Sequence, residues 1–325
     1  MINRINNTLV ILEETWPEAY LALLEKISFE GELVGKTQEL HPLFFQVDKP
    51  QRCLVPLNKN WKWALHEGIN RLSFEDLELQ NPGTAYNYRA SWKRKLNKEG
   101  GKFCYTYGYS YTQQIPFILK RLRLGYRECI INIWNQDYLF NRDLFNRRPC
   151  TLTLQFLISN DKEVDLIVNM RTSDIMNLLP YDFFHHTLLQ RYIASKLNLK
   201  IGKYCHLSGH AYYHKKRNET GSVRKAIEKL KVNNTKSSLL QTSQDWKFGD
   251  NERKFLMTLT KHLSLGVQKD GDKTFFKMSD YLNLSEFGQN YVHALLSLHK
   301  LQNIYFNHQI NLKEFEAIKL SRKDG

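Results

Sequence analysis

The stretch "RRPCTLTLQF", residues 147 to 156, sets Cys150 directly behind Pro149, Arg148 and Arg147, at the mouth of an alternating apolar run. A cysteine attacks as its thiolate, and thiolates form more readily beside positive charge. These ten residues fit two descriptions: a nucleophile at an anion site, or an ordinary half-buried thiol on a strand. The other cysteines, Cys53, Cys104, Cys129 and Cys205, make no CxxC pair and keep no regular spacing. They suggest neither a disulfide framework nor a zinc site, so reduced cytoplasmic thiols and no metal are expected. Neither GxxxxGK[ST] nor GxGxxG occurs, which leaves no glycine-rich phosphate loop to supply the chemistry.

The elements that must position Cys150 follow from periodicity. "RECIINIWN" and "CTLTLQFLIS" alternate and are rich in β-branched residues, which predicts two strands separated by a loop. "EVDLIVNMRTSD" predicts a third strand that runs into a polar turn, and "KYCHLSGHAYYH" a further one. Apolar spacing in "TWPEAYLALLEKI" and "NWKWALHEGINRL" predicts two helices. "YDFFHHTLLQRYIASKLNL" is apolar nearly all round, the mark of a long buried helix. His185 and His186 at its head are expected to pack or cap rather than ligate. Helices and strands interleave without a βαβ rhythm, so the fold class is α+β.

The bulk properties set limits. Across 325 residues, 42% apolar and 25% charged content is that of a globular protein, and 13% aromatics can fill a sizeable core. No apolar run approaches the roughly 18 residues of a membrane span, and Glu13 and Glu14 directly follow the first apolar patch. Neither a membrane anchor nor a signal peptide is therefore expected. The formal charge of +14 favours anionic partners, nucleotides or nucleic acid. From residue 231 onward 14 basic residues face 10 acidic ones, so the basic excess lies mainly in the first 230 residues. The polar, weakly patterned "KVNNTKSSLLQTSQDWKF", residues 231–248, divides a domain at 1–230 from an extension at 249–325. The extension's order of helix, helix, helix, strand is that of a winged-helix module.

Residues 147 to 213 carry a more specific pattern. Pro149-Cys150 is followed by Gln155-Phe156, then Arg171-Thr172-Ser173-Asp174, Leu179-Pro180-Tyr181-Asp182 and His210-Ala211-Tyr212. These landmarks, in register, resemble the central stretch of the thymidylate synthase superfamily, whose fold is a twisted sheet with packed helices. The likeness extends more loosely over residues 15 to 220. "WALHEGINRLS" is similar to the helix that carries the family's glutamate, here Glu67. "SWKRKLNKEGGKFCYTYGYSY" resembles the segment leading to a Tyr-Gly pair, here Tyr107-Gly108, with Trp92 near the family's active-site tryptophan. "YRECIINIWN" resembles the strand that donates a phosphate-binding arginine, here Arg127, across a homodimer.

The resemblance implies roles. Cys150 would add to C6 of a pyrimidine nucleoside monophosphate and so activate C5 for one-carbon capture, dividing one hard step into easier ones. Arg171, with Thr172, would hold the phosphate within the subunit, and Arg127 would reach in from the partner. Glu67 would organise water and move protons. His210 and Tyr212 would bind the sugar hydroxyl, and Trp92 and Asp174 would lie by the folate cofactor, 5,10-methylenetetrahydrofolate. Asp182 would read the base. Synthases place asparagine there for uracil, whereas aspartate resembles the deoxycytidylate and cytidylate hydroxymethylases. A carboxyl group can accept from cytosine N4 and, if protonated, donate to N3.

Several positions depart from the family pattern. Thr151 stands for the histidine after the nucleophile, Met170 for a glutamine, and Leu178 for a glycine. Asn70 stands for the tryptophan after the glutamate, and Glu128 for a second arginine. The synthases' closing tail has no match in "EAIKLSRKDG". The expected function is a pyrimidine nucleotide C5 hydroxymethyltransferase acting on dCMP or CMP. The alternatives are a thymidylate synthase or dUMP hydroxymethylase, and a non-catalytic nucleotide- or nucleic-acid-binding protein of the same fold.

Overall fold

Strict alternation in "EVDLIVNM" sends Val164, Leu166, Val168 and Met170 to one side of a strand, all of them buried. The computed structural model in which this is seen describes residues 2–5, 8–51, 53, 55, 57, 61–72, 107–134, 148–215, 219–233, 248–265, 284, 288, 289, 292, 303–305 and 309–311. In chain order it contains β1 (Ile2–Ile5), β2 (Thr8–Glu13), α1 (Trp16–Glu30), β3 (Glu32–Val34), β4 (Thr37–Leu40), β5 (Leu43–Val47) and α2 (Trp61–Arg71). Next come α3 (Tyr107–Arg123), β6 (Cys129–Asn132), β7 (Thr151–Ile158), β8 (Glu163–Met170), β9 (Ser173–Asp174) and α4 (Leu179–Leu197). The remainder are β10 (Lys200–Ser208), β11 (Ala211–His214), α5 (Glu219–Asn233), α6 (Asp250–Leu265), β12 (Asn303–Tyr305) and β13 (Gln309–Asn311).

Seven strands form a twisted mixed sheet in the order β1-β2-β5-β10-β8-β7-β6, and four form a second sheet, β3-β4-β11-β9. The fold is α+β, as the interleaving of elements implied. Residues 203–214, expected as a single strand, fall in two strands that belong to different sheets. They part at Gly209 and His210, where Gly209 N–H donates to the Met170 carbonyl and the His210 carbonyl accepts from Ser173 N–H. That break matters, because it turns His210 and Tyr212 back toward the end of β8. β10 is irregular between Ile201 and Tyr204, and Gly202 permits it. A Cβ there would lie 2.1 Å from the Asp165 carboxylate, which accepts from Lys203 N–H at 2.8 Å.

α4 is the central helix, buried from Leu179 to Ala194 except at Asp182. A helix buried all round must satisfy each polar side chain inside the protein. His185 Nε2 donates to the Ala64 carbonyl at 2.9 Å, Gln190 to the carbonyls of Val164 and Lys203, and Arg191 to that of Gln51. α1 starts where the Glu18 carboxylate accepts from both the Thr15 N–H and its hydroxyl. It presses Trp16 between Phe45 of the sheet and Phe183 of α4, with centroids at 5.4 and 4.2 Å. α2 covers another side of α4 through Trp61 and Trp63, both edge-on to Tyr181.

α6, the first helix of the expected extension, lies on α2 and α4. Buried Arg253 donates to the Leu72 carbonyl at 3.1 Å, just past the end of α2, and Asp250 accepts from the Tyr192 hydroxyl at 3.1 Å. A cation at a helix C-terminus satisfies its open carbonyls. α5 runs to Asn233, into the start of the expected linker. β12 and β13 pair as an antiparallel hairpin; most of the stretch between α6 and β12, where the extension's further helices were expected, lies outside the described residues. No helix among the described residues is long and apolar enough to cross a membrane.

Candidate active site

The nucleophile candidate stands where β7 begins and β8 ends. Cys150 carbonyl accepts from Arg171 N–H at 2.9 Å, so the pairing of the two strands places the thiol beside the arginine. Arg171 Nε then donates to the Pro149 carbonyl at 3.0 Å, and Nη2 lies 3.9 Å from Cys150 Sγ. The guanidinium also stands over the Trp134 ring, 5.9 Å from its centroid. Cys150 is half-buried, Arg171 exposed, and Cys150, Cys53, Cys129 and Cys205 are all free thiols. Burial pushes the thiols of Cys53, Cys129 and Cys205 up, the last to about 11. Those groups are thereby poor nucleophiles at neutral pH.

The turn after β8 carries the next candidates. Thr172 Oγ1 is 3.2 Å from His210 Nδ1, and His210 Nε2 is 2.8 Å from the Glu39 carboxylate. Tyr212 stacks on the His210 ring at 5.1 Å, and Tyr212 is also the register partner of Asp174. Asp174 holds the turn into α4 by accepting from Asn177, through its backbone N–H at 2.9 Å and its side-chain amide. Arg171, Thr172, His210, Tyr212 and Asp174 therefore share one end of the sheets.

A second cluster forms where α2, α3 and the start of α4 meet. Glu67 and Arg71, one helical turn apart, pair at 3.1 Å between Oε1 and Nε. Arg71 Nη2 reaches 4.0 Å from the Asp182 carboxylate, and its guanidinium covers the Tyr107 ring at 4.1 Å. Burial acts to lower the Arg71 pKa, but Glu67, Tyr107, Tyr111 and Asp182 outweigh it and the net shift is upward. Arg71 is thus a fixed cation. Tyr111, fully buried beside it, is pushed up to about 12.

A buried chain of neutral groups runs from Thr151 to Ser173, beneath the end of the sheet that carries Cys150 and Arg171. Thr151, next to Cys150, lies 3.3 Å from His186 Nε2, and His186 Nδ1 lies 3.3 Å from the Tyr204 hydroxyl. Tyr204 is 3.0 Å from His206 Nδ1, His206 Nε2 is 3.2 Å from Ser173 Oγ, and Ser173 donates to the Met170 sulfur. One direction satisfies every atom: Thr151 donates to His186, His186 to Tyr204, Tyr204 to His206, and His206 to Ser173. Burial holds both imidazoles neutral, His206 pulled down to about 3 and His186 well below its ordinary value. His186 packs, as expected, but as a link in this chain. Tyr204, His206, Arg71 and Glu39 escaped the sequence reading. Only the four-residue spacing of Glu67 and Arg71 was a usable signal.

Arg127 stands on the exposed turn before β6, with its carbonyl accepting from Gln155. Trp92 and Arg147 lie outside the described residues. Among the described residues no group of His, Cys, Asp and Glu is placed to hold a metal ion.

The described site thus joins a thiol beside an arginine at a strand end with a Glu67–Arg71–Asp182 cluster on the helices. Comparison with known proteins gives that arrangement a family. Residues 58–252 match the family model described as thymidylate synthase. A thymidylate synthase of Bacillus atrophaeus is 28% identical over 156 residues, 44% of this chain and 62% of the relative. One of Staphylococcus haemolyticus is 24% identical over 127 residues, 38% of this chain and 36% of the relative. The chain thus spans less than two thirds of the length of these relatives. The solved thermostable thymidylate synthase A from Bacillus subtilis superposes with a TM-score of 0.52 at 20% identity, over 66% of this chain and 84% of that one. The chain belongs to the thymidylate synthase family.

Proposed function

We propose that the protein is a one-carbon transferase that hydroxymethylates C5 of a cytidylate, dCMP or CMP, through a covalent adduct of Cys150. The observation that carries this reading is the 3.9 Å approach of Arg171 to Cys150 Sγ at the end of β8. A guanidinium there serves twice, favouring the thiolate and offering a bidentate fork to a nucleotide phosphate beside Thr172. His210, held by Glu39, and Tyr212, stacked on it, would bind the sugar hydroxyl, a role their contacts support.

The thiolate of Cys150 forms a bond to C6, and the electron pair of the C5–C6 double bond moves to C5. C5 then bonds the incoming carbon and later loses its hydrogen as a proton. Glu67, paired with Arg71, is placed to manage water and that proton at the buried end of the site. The electron pair left by that proton would form a double bond to the exocyclic carbon and release the donor's nitrogen as an amine. Water then adds to the exocyclic carbon and gives up a proton as the C5–C6 double bond re-forms, the C6–S bond breaks and the thiolate leaves. The donor of our reading is methylenetetrahydrofolate, which supplies carbon at the formaldehyde level when bound. Asp174, a half-buried carboxylate that accepts from Asn177, would hold the cofactor by accepting from the N–H edge of its pterin.

The base assignment rests on Asp182, which accepts from an exocyclic amino group where an amide would suit uracil. Relatives named thymidylate synthases favour a second reading, conversion of dUMP. A homodimer accompanies both readings. It would cover the outer face of the seven-stranded sheet, where Ile130 and Leu207 are exposed, and would bring exposed Arg127 to a neighbour's phosphate. The test is tritium release from C5-labelled dCMP, CMP and dUMP, with and without folate, in wild type and Cys150→Ala. Release from a cytidylate that is lost in Cys150→Ala supports the reading. Release from dUMP alone transfers it to the second, and no release from any nucleotide leaves a binding protein.

A further inference from the structure

A cytidylate needs two complementary contacts at its base edge: an acceptor for the N4 amino group and a donor for N3. The sequence offered one residue for both, Asp182 carrying a proton. The geometry divides the task. Arg71 lies between Glu67 and Asp182, with Nε 3.1 Å from the first carboxylate and Nη2 4.0 Å from the second. Among the described residues, groups that face Asp182 include Arg71 from α2, Tyr111 from α3 and Tyr204 from β10, with Glu67 pairing Arg71. Both tyrosines are neutral, their pKa values raised by burial, and among the described residues Arg71 is the cation that faces Asp182. A cation at this range favours the ionised carboxylate, and an ionised carboxylate has no proton to give N3.

The same residue has a donor to spare. Arg71 is 7% exposed, and its Nη1 is buried with no well-formed hydrogen bond among the described residues, the Tyr111 hydroxyl standing within the guanidinium's influence. Buried donors are normally satisfied, so an open one beside a base-reading carboxylate calls for an acceptor from the ligand. The 4.0 Å separation of Nη2 from Asp182 is longer than a hydrogen bond. It leaves the carboxylate and the guanidinium as neighbours able to address adjacent atoms of one ring.

Resting on the cytidylate reading, we propose that Arg71 is a specificity-determining residue: its guanidinium donates to N3 of cytosine while ionised Asp182 accepts from N4. Uracil presents the reverse pattern, N3–H toward a donor and O4 toward an acceptor, and both contacts then become repulsive. The pair needs no titration, so its selectivity is constant across neutral pH. A protonated Asp182 would lose selectivity as it ionises.

The experiment compares dCMP with 3-deaza-dCMP, in which a C–H replaces N3 and the amino group is kept. Kd is measured calorimetrically for the full-length protein at pH 6 and pH 8, in wild type, Arg71→Met and Arg71→Lys. Wild type should bind dCMP roughly ten- to a hundredfold more tightly than the analogue at both pH values. Arg71→Met should bind the two about equally, with Arg71→Lys between. Should Arg71→Met not fold, the wild-type pair decides alone: constant discrimination supports Arg71, and discrimination that collapses by pH 8 assigns the proton to Asp182. Equal binding of the two nucleotides by wild type, or full discrimination by Arg71→Met, overturns the Arg71 assignment and leaves the cytidylate reading intact if C5 exchange persists. Binding of dUMP with none of dCMP overturns both.

Discussion

Acid should dismantle this protein from the inside, and His206 allows the effect to be measured. Its imidazole is fully buried between Tyr204 and Ser173, and burial pulls its pKa from 6.5 to about 3. The folded-state value lies below the unfolded one, so below pH 6.5 the unfolded chain takes up a proton that the native state refuses. Stability is whole above about pH 6.5 and declines as pH falls toward 3. At 1.36 kcal/mol per pH unit, His206 alone removes about 2 kcal/mol by pH 5 and about 5 by pH 3. His185 and His186, also held below their ordinary values by burial, act in the same direction. Against a total of roughly 5–15 kcal/mol for a domain, such losses bring unfolding close at mildly acid pH. Protonation also reverses the chain's order, because an imidazolium donates from both nitrogens and Tyr204 loses its acceptor. The assay is urea unfolding followed by circular dichroism at pH 7.5 and 5.0, in wild type and His206→Gln. The variant should be less stable at pH 7.5, by about 1–3 kcal/mol for the broken hydrogen bonds. Its further loss on going to pH 5.0 should be about 2 kcal/mol smaller than that of wild type. An identical pH dependence in the two proteins would refute the assignment of a buried neutral His206.

Two further outcomes follow from the site. Asp182→Asn exchanges an acceptor for an amide that matches uracil, and the ratio of kcat/KM for dCMP over dUMP should fall by roughly ten- to a hundredfold; steady-state kinetics on both nucleotides checks it. Gly108→Ala would place a Cβ 3.1 Å from the Asn70 carbonyl and 3.3 Å from that of Arg71, where the start of α3 abuts the end of α2. That substitution should lower stability by about 1–3 kcal/mol in denaturant unfolding and reduce activity through displacement of Arg71.

The parts of the fold that were legible are those whose local pattern and tertiary environment agree. β7 and β8 alternate because one face of the sheet is covered, and α4 is apolar all round because it is covered on every side. The second sheet was harder to see. β3 and β9 are 3 and 2 residues long, too short for periodicity, and β11 looked continuous with β10 because Gly209 and His210 interrupt an otherwise extended run. α3 carries Pro116 in its interior and begins at a tyrosine-glycine pair, which disguises a helix of 17 residues. At the site, Cys150, Arg171, Thr172, His210 and Tyr212 were found because short motifs fix them in sequence. The buried chain through Tyr204 and His206 was not, because its members come from β7, α4, β10 and β9 and meet only after folding.

The aspartate at position 182 becomes coherent once Arg71 is placed. An aspartate in a pocket lined by Tyr111 and Tyr204 is costly as a lone charge, since a buried carboxylate without a partner protonates or destabilises the fold. Arg71 supplies the partner, and Glu67, one turn back on α2, completes the pairing from the other side. That arrangement holds only if the end of α2 is fixed relative to α4. Arg253 of α6 fixes it by donating to the Leu72 carbonyl while Asp250 bridges to Tyr192 and Lys196 of α4. The first helix beyond the expected linker therefore helps to set the distance between Arg71 and Asp182, which on the proposed reading is the spacing of donor and acceptor for the base. On that account, changes at Arg253 would act on nucleotide selectivity as well as on stability, since they loosen the helix end from which Arg71 projects.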